Sequence, residues 1–222
     1  MRIGIITYKK PHKKTQLIAE HLKNNGNDIF FFFLPFQKRK KRRIFFNHRP
    51  KEFDVISNIK FCKKNLIKIY DFKKLNRIKL DHILITVGVL IDTKKIKKKI
   101  INCHSGLLPN SRGLDCFKWD IFYKKKVGVT LHYINNDIDS GEIIHKRRTK
   151  LSKQTTLKKF SEDHYFNEIE LLANFYKYLN NKKKNDIIDF VQTNKNIYKR
   201  MSYNLEKKLK YNFNLYRKKY CQ

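Results

Sequence analysis

The chain has 222 residues and a formal net charge of +33, from 52 Lys and Arg against 19 Asp and Glu. Hydrophobic residues at 41% and aromatics at 14% suffice for a packed core, and seven Gly and four Pro exclude a collagen-like or low-complexity chain. The length is that of one domain, or one domain with a tail, and the charge invites two readings: an anionic partner, or the Lys-, Asn- and Ile-rich drift of an AT-rich coding sequence.

No stretch approaches the ~20 apolar residues of a membrane span. The apolar run behind Arg2 is too short for a signal peptide. Cys62, Cys103, Cys116 and Cys221 stand at irregular spacing without a CxxC pair. That pattern argues against a metal site or a disulfide framework and for reduced thiols in a cytoplasm.

Along the chain, Arg2–Thr7 reads as a first strand. Thr15 is expected to cap a helix carrying Leu17, Ile18 and Leu22, with Gly26 as its stop. Asp28–Leu34 (DIFFFFL) is a continuous apolar run, the pattern of a strand buried on both faces. Phe53–Ser57 and Leu66–Tyr70 are weaker strand candidates. His82–Leu90 is a strong one. Ile100–Cys103 follows a Lys-rich linker helix. A helix is expected over Asp115–Tyr123, strands over Val127–Ile134 and Glu142–Lys146, and a helix from about Thr156 to Leu179 with Phe160, Tyr165, Ile169, Leu172 and Phe175 on one stripe. Strands alternating with helices give a mostly parallel, doubly wound α/β sheet.

Beyond Leu179 the composition changes. Residues 182–222 hold twelve Lys/Arg and three Asp/Glu, a local charge of +9. Met201, Leu205, Leu209 and Phe213 recur every four residues, as in an amphipathic basic helix. Such a helix lies on the main domain or against an anionic surface.

Four of the seven glycines, Gly106, Gly113, Gly128 and Gly141, fall in one stretch. Residues 101–145 also carry five basic and five acidic residues, so this segment is formally neutral while the rest holds the whole excess. Within it, Asn102 and His104 share one face of a predicted strand end. The carboxyl end of a parallel strand is the usual ligand position. An imidazole beside a carboxamide suits acyl transfer: the ring takes a proton from a nucleophile, and the amide donates to a developing oxyanion. Asp137 and Asp139, in the loop Asn135–Gly141, offer a carboxylate to orient the ring. A lone strand-end histidine is ordinarily a satisfied structural residue.

The run Asn102–Gly113, NCHSGLLPNSRG, resembles the signature of the formyltetrahydrofolate-dependent formyltransferases. The downstream strand Gly128-Val-Thr-Leu-His-Tyr-Ile and the loop Asp137-Ile-Asp139-Ser-Gly141 are similar to two further motifs of that family, in order. Where the family usually has His-Pro-Ser, this chain has His104-Ser105-Gly106. The resemblance implies a Rossmann-like formyltransferase fold over residues 1–180, with a basic helical extension over 181–222. It implies N10-formyltetrahydrofolate as co-substrate and no metal. Asn102, His104 and Asp139 would be catalytic, with Asn102 polarising the formyl oxygen and His104 handling the amine proton. Asp139 would hold His104, and Thr130 would hydrogen-bond Asn102. Val87, Gly88, Val89 and Leu90, with Ile134, Asn135 and Asp137, would cradle the pterin.

The acceptor amine follows from the family's three substrate classes. Glycinamide ribonucleotide enzymes carry a glycine-rich phosphate loop after the first strand; here Tyr8–Thr15 holds no glycine. Methionyl-tRNA enzymes share the Arg112-Gly113 pair but carry a C-terminal β-barrel, which the Lys-rich tail does not resemble. Amino-sugar N-formyltransferases fit best, acting on a nucleotide-linked sugar for surface glycans such as lipopolysaccharide O-antigen. Tyr8, Lys9, Lys10, His12, Arg49, Arg112 and Gly113, or the run Lys38–Arg43, would then contact that small-molecule substrate. The expected partner is an amino-sugar nucleotide, with a homodimer left open and nucleic acid less favoured. A nucleic-acid-binding module on the same fold is the reading from a different class.

Overall fold

The computed structural model describes residues 1–36, 41–52, 54–180 and 197–221. Strand β1 (Arg2–Tyr8) is followed by α1 (Lys13–Asn24), β2 (Asp28–Leu34), α2 (Asn58–Lys64), β3 (Lys68–Asp71), β4 (His82–Ile85) and β5 (Ile100–His104). These five strands lie parallel in the order β3-β2-β1-β4-β5. The chain then turns back. A short β6 (Arg112–Gly113) and α3 (Cys116–Phe122) lead into β7 (Gly128–Tyr133) and β8 (Ile143–Arg148), which extend the sheet antiparallel beyond β5.

The phenylalanine run in β2 explains its continuous apolarity. Phe31 and Phe33 join the core cluster that also holds Ile18 and Leu22 of α1, while Phe30 and Phe32 join the one on the opposite face. Each such buried ring contributes about 1.5–3 kcal/mol.

Helices α4 (Leu157–Ala173) and α5 (Phe175–Asn180) replace the single helix expected there, broken at Asn174. Thr156 caps α4 by accepting a hydrogen bond from Lys159 N at 3.1 Å. Phe160, Tyr165, Ile169, Leu172 and Phe175 are all buried.

The α1 cap is not Thr15. His12 takes the cap position, and the Thr15 hydroxyl is fully buried among Thr7 (2.9 Å), Thr86 (2.8 Å) and His12 (2.7 Å). Phe53 lies outside the described residues, and 54–57 form no strand, because Ser57 caps α2 instead. Only the first four residues of His82–Leu90 are strand; Thr86–Leu90 lie beyond the sheet edge as loop. In place of a linker helix, Thr93–Lys95 make one 3-10 turn.

The C-terminal stretch forms β9 (Ile197–Tyr198), α6 (Tyr203–Lys207) and α7 (Leu209–Tyr220), with a break at Lys208 where one helix was expected. Strand β9 pairs with β6. Met201, Leu209, Phe213 and Tyr216 pack against Phe117, Ile121, Val127 and Phe160. The stripe is therefore core, not a free amphipathic face. Among the described residues, no helix is long and apolar enough to cross a membrane.

Candidate active site

The carboxyl end of β5 and the adjoining part of β7 bring four polar side chains together. Antiparallel register sets Asn102 opposite His132 and His104 opposite Thr130. Asn102 Nδ2 donates to His132 Nε2 at 3.2 Å. His132 Nδ1 donates to the Tyr133 carbonyl at 2.8 Å, which leaves Nε2 bare as the acceptor. Burial holds His132 down at about 4, so the ring is neutral at pH 7 and this arrangement is fixed. The carboxamide of Asn102 is thereby oriented with one N–H spent on His132 and one to give.

His104 is 7% exposed. Its Nε2 donates to the Ser111 carbonyl at 2.8 Å. Its Nδ1 faces Asp139 Oδ1 at 3.3 Å. With Nε2–H committed to a carbonyl, a neutral ring presents a bare Nδ1 to a carboxylate oxygen. That pair is a place for one incoming proton. Asp139 Oδ1 also lies 4.0 Å from His132 Nε2, so all four groups share one focus.

Asp139 is held from three directions. Its backbone adopts φ 45°, the left-handed region, a conformation stored at the site. Its Oδ2 accepts from Gly113 N at 2.9 Å. Arg112 donates from Nε (2.9 Å) and Nη2 (2.6 Å) to the neighbouring Ile138 carbonyl. Arg112 is 7% exposed, so the expectation that it reads substrate gives way to a positioning role beneath the Asp139 loop.

Glycine matters at two points here. Gly113 has φ 96°, and an added Cβ would collide with the Tyr198 backbone and come within 2.7 Å of Ile197 Cγ2. Gly106 stands against His104: a Cβ there would lie 2.8 Å from His104 Nε2. Ser105-Gly106, the departure from the usual motif, thus makes room for the ring. Ser105 Oγ is in turn bonded to His164 Nε2 at 2.8 Å. Gly113→Ala is expected to lower stability by about 1–3 kcal/mol and to loosen the Asp139 contact. An unchanged melting temperature would show that the β6–β9 pair yields freely.

Thr130 does not reach Asn102. It is fully buried, donates to the Gly106 carbonyl at 2.7 Å and accepts from Leu108 N at 3.0 Å, so it pins the motif loop. The strand pairing points its side chain into that loop.

The residues expected to cradle the pterin lie on two loops. Asn136 Oδ1 accepts from Thr93 N and Thr93 Oγ1, both at 2.8 Å, and ties the loop after β7 to the loop after β4. Val87, Val89 and Ile134 share one apolar cluster. Leu90 is 68% exposed, and a Cβ added at Gly88 would meet nothing within 4 Å. Asn135 Oδ1 accepts from Asp137 N and Ser140 Oγ, which shapes its own loop. An apolar rim beside open backbone suits a flat heteroaromatic ring.

The residues expected to hold phosphate are mostly occupied elsewhere. His12 is bonded to Thr15 and lies 3.5 Å from Glu52, and burial pushes it down to about 4, so it is no cation at pH 7. Arg49 pairs with Glu168 at 3.1 Å and Glu52 at 3.6 Å. Lys38 lies outside the described residues, whereas Arg42 binds Asp115 (3.3 Å), Glu206 (3.2 Å) and the Met201 carbonyl. Tyr8 packs edge-on against Phe36, and Lys10 sits over the same ring at 3.9 Å. Lys9 and Lys10 are exposed.

Three histidines, two buried and one half-buried, give the chain a pH signature. His132 and His12 are held down to about 4 and His164 to about 3, in each case first by burial, against an ordinary 6.5. Between those values only the unfolded chain takes up the proton. Stability should therefore fall as pH drops from about 6.5 toward 4. Thermal melts across that interval should show a falling melting temperature; a flat profile would mean these rings protonate in place.

Residues 82–175 match the family model described as formyl transferase. A curated relative, methionyl-tRNA formyltransferase of Fusobacterium nucleatum, is 26% identical over 160 residues, covering 66% of this chain and 52% of its own. The chain spans about half the length, or less, of the curated relatives it matches first. An N-formyltransferase from Helicobacter canadensis, solved with folinic acid and dTDP-3-aminofucose, aligns with TM-score 0.61 at 18% identity over 95% of this chain and 80% of that one. PseJ from Anoxybacillus kamchatkensis, solved with a UDP-linked formamido sugar and tetrahydrofolate, aligns with TM-score 0.53 at 19% identity over 89% and 84%. Residues 82–175, the segment that holds Asn102, His104 and Asp139, are thus similar to the formyl transferase family.

Proposed function

We propose that this protein transfers the formyl group of N10-formyltetrahydrofolate to the primary amine of a nucleotide-linked amino sugar, a step of surface-glycan synthesis. The observation that carries the reading is the convergence of Asn102, His104 and Asp139 at one sheet edge. Support for the acceptor comes from the structural neighbours solved with nucleotide-linked amino sugars and folates.

The folate supplies an activated formyl group; the chain supplies placement and proton handling. Val87, Gly88, Val89, Leu90 and Ile134 line the ring, with Asn135 and Asp137 shaping the facing loop. The unspent N–H of Asn102 donates to the formyl oxygen as negative charge develops there. One such preorganised donor contributes a factor of ~100–1,000. His104 Nδ1 accepts the proton lost by the attacking amine, Asp139 Oδ1 balances the imidazolium, and that proton passes to the departing folate nitrogen as its bond to the formyl carbon breaks. His132 holds Asn102 in register, while Arg112 and Gly113 hold Asp139.

A second reading, formylation of methionyl-tRNA, is favoured by the names of the curated relatives. Incubating the protein with N10-formyltetrahydrofolate and nucleotide-linked 3- and 4-amino sugars should release tetrahydrofolate. Release only with charged initiator tRNA would replace the first reading by the second.

A further inference from the structure

Next to the catalytic focus lies a cleft of about 1250 Å³ with an unusual wall. Its cations are Lys124, Lys125 and Lys126 from the turn before β7, and Lys146 and Arg148 from the edge strand β8. Tyr123, Tyr198 and Tyr220 supply its aromatic surface, and no acidic side chain lines it. We propose that this cleft binds a nucleoside diphosphate, with the basic turn and strand taking the phosphates and the tyrosines taking the base.

The charge argument rests on where the acids are. Elsewhere several buried and half-buried cations meet acids: Lys14 and Arg49 meet Glu168, Lys118 and Arg42 meet Glu206, and Arg147 meets Glu170. Among the described residues, none of the five cleft cations forms an ion pair. All five side chains come from exposed residues, and they converge from two elements on one concavity. Asp120 stands behind the wall, but it is fully buried, bonded to Ser111 Oγ, and pushed up to about 7 by burial. At neutral pH it is about half ionised, a partial charge behind five full ones. Five like charges held together without counter-ions are a cost that a polyanion relieves.

The aromatic argument is geometric. Tyr123, Tyr198 and Trp119 form a triangle of near-parallel rings, at pairwise ring separations of 5.6–6.2 Å and interplanar angles of 13–22°. Lys125 Nζ donates to the Tyr198 hydroxyl at 2.6 Å and lies over both tyrosine rings. Tyr123 is 54% exposed, so the cluster presents an aromatic surface beside a cation. A base stacking on such a ring contributes about 1–3 kcal/mol. The volume also exceeds what phosphate alone would fill.

Ser111 joins this cleft to the chemistry. It lines the cleft, and its carbonyl accepts from His104 Nε2 at 2.8 Å. The nucleotide is either that of the amino-sugar substrate or a second, free one. The chemistry of the site is the same in both cases.

The test is equilibrium binding of UDP and dTDP in phosphate-free, low-salt buffer, read by Trp119 fluorescence and calorimetry. The Lys124→Glu/Lys126→Glu double variant is expected to weaken binding ~10-fold or more. Lys73→Glu/Lys74→Glu, an equal change of net charge on exposed residues far from the cleft in sequence, is expected to leave it unchanged. Tyr123→Ala should erase the advantage of a nucleoside diphosphate over inorganic pyrophosphate. No nucleotide binding, or equal losses in both double variants, overturns the proposal. So does a short single-stranded RNA that binds tightly and is not displaced by UDP. Competition with the amino substrate would identify its own nucleotide as the occupant, and binding without competition a second nucleotide; both uphold the site. Binding needs no formyl donor. A protein that binds UDP here yet formylates no amino sugar would sink the functional reading above and leave this one standing.

Discussion

His104→Ala is expected to lower the turnover of formyl transfer ~100-fold or more while leaving the melting temperature close to that of the parent. The ring presents its bare Nδ1 to the Asp139 carboxylate and stands on the same strand face as Asn102. Without it the imidazole–carboxylate pair that takes the amine proton is broken, so the loss falls on kcat. Asp139→Asn keeps an acceptor for Gly113 N but removes the charge opposite His104. A loss of the same order is expected, again in kcat. Because the two act as a pair, the double variant should cost little more than either alone. A near-parental rate in either single variant would place the proton acceptor elsewhere and dismantle the roles assigned to this cluster.

How far such a cluster is legible in sequence depends on the range of its contacts. Asn102 and His104 could be set on one face because strand periodicity is local. The role of His132 could not, since it depends on antiparallel register between β5 and β7, which brings residues 30 apart to 3.2 Å. The histidine was in plain view in the Gly128–Ile134 run, with nothing local to mark its partner. Thr130 was assigned to the wrong partner for the same reason.

The charges tell the same story at longer range. Lys9–Lys14, Arg42 and Arg49 look like phosphate readers when only neighbours are visible. In the fold, Lys14 and Arg49 meet Glu168, and Arg42 meets Glu206, acids more than a hundred residues away. Local composition cannot show that neutralisation. It did show the three consecutive lysines at 124–126, but not that β8 would set Lys146 and Arg148 against them. The apolar pattern was more faithful. β2 kept the predicted bounds, because its side chains are buried on both faces. His82–Leu90 was overread because Val87 and Val89 are apolar for packing under a loop, not for pairing in a sheet.

Glu168→Ala is expected to be the most damaging substitution for stability, at about 3–5 kcal/mol. The carboxylate lies on α4 and is 3% exposed. It accepts from Lys14 of α1, itself 3% exposed, and from Arg49 of the loop that crosses above. Removing it strands Lys14 in a low-dielectric site with no counter-charge. Exposed pairs such as Lys159–Asp163 should by contrast be worth under ~1 kcal/mol. Burial by itself would raise the Glu168 carboxyl, but Arg49 and Lys14 more than offset that and hold it at about 2, below its ordinary 4.5. A depressed carboxyl contributes stability that is complete above the ordinary value and is lost as pH falls through the interval to the folded one. The free-energy gap between parent and Glu168→Gln should therefore be constant above about pH 4.5 and close below it. The partner test is the double variant Lys14→Met/Glu168→Leu, which removes both charges and should recover much of the loss. A loss in Glu168→Ala that the double variant does not recover would locate the penalty in packing rather than in an orphaned ammonium.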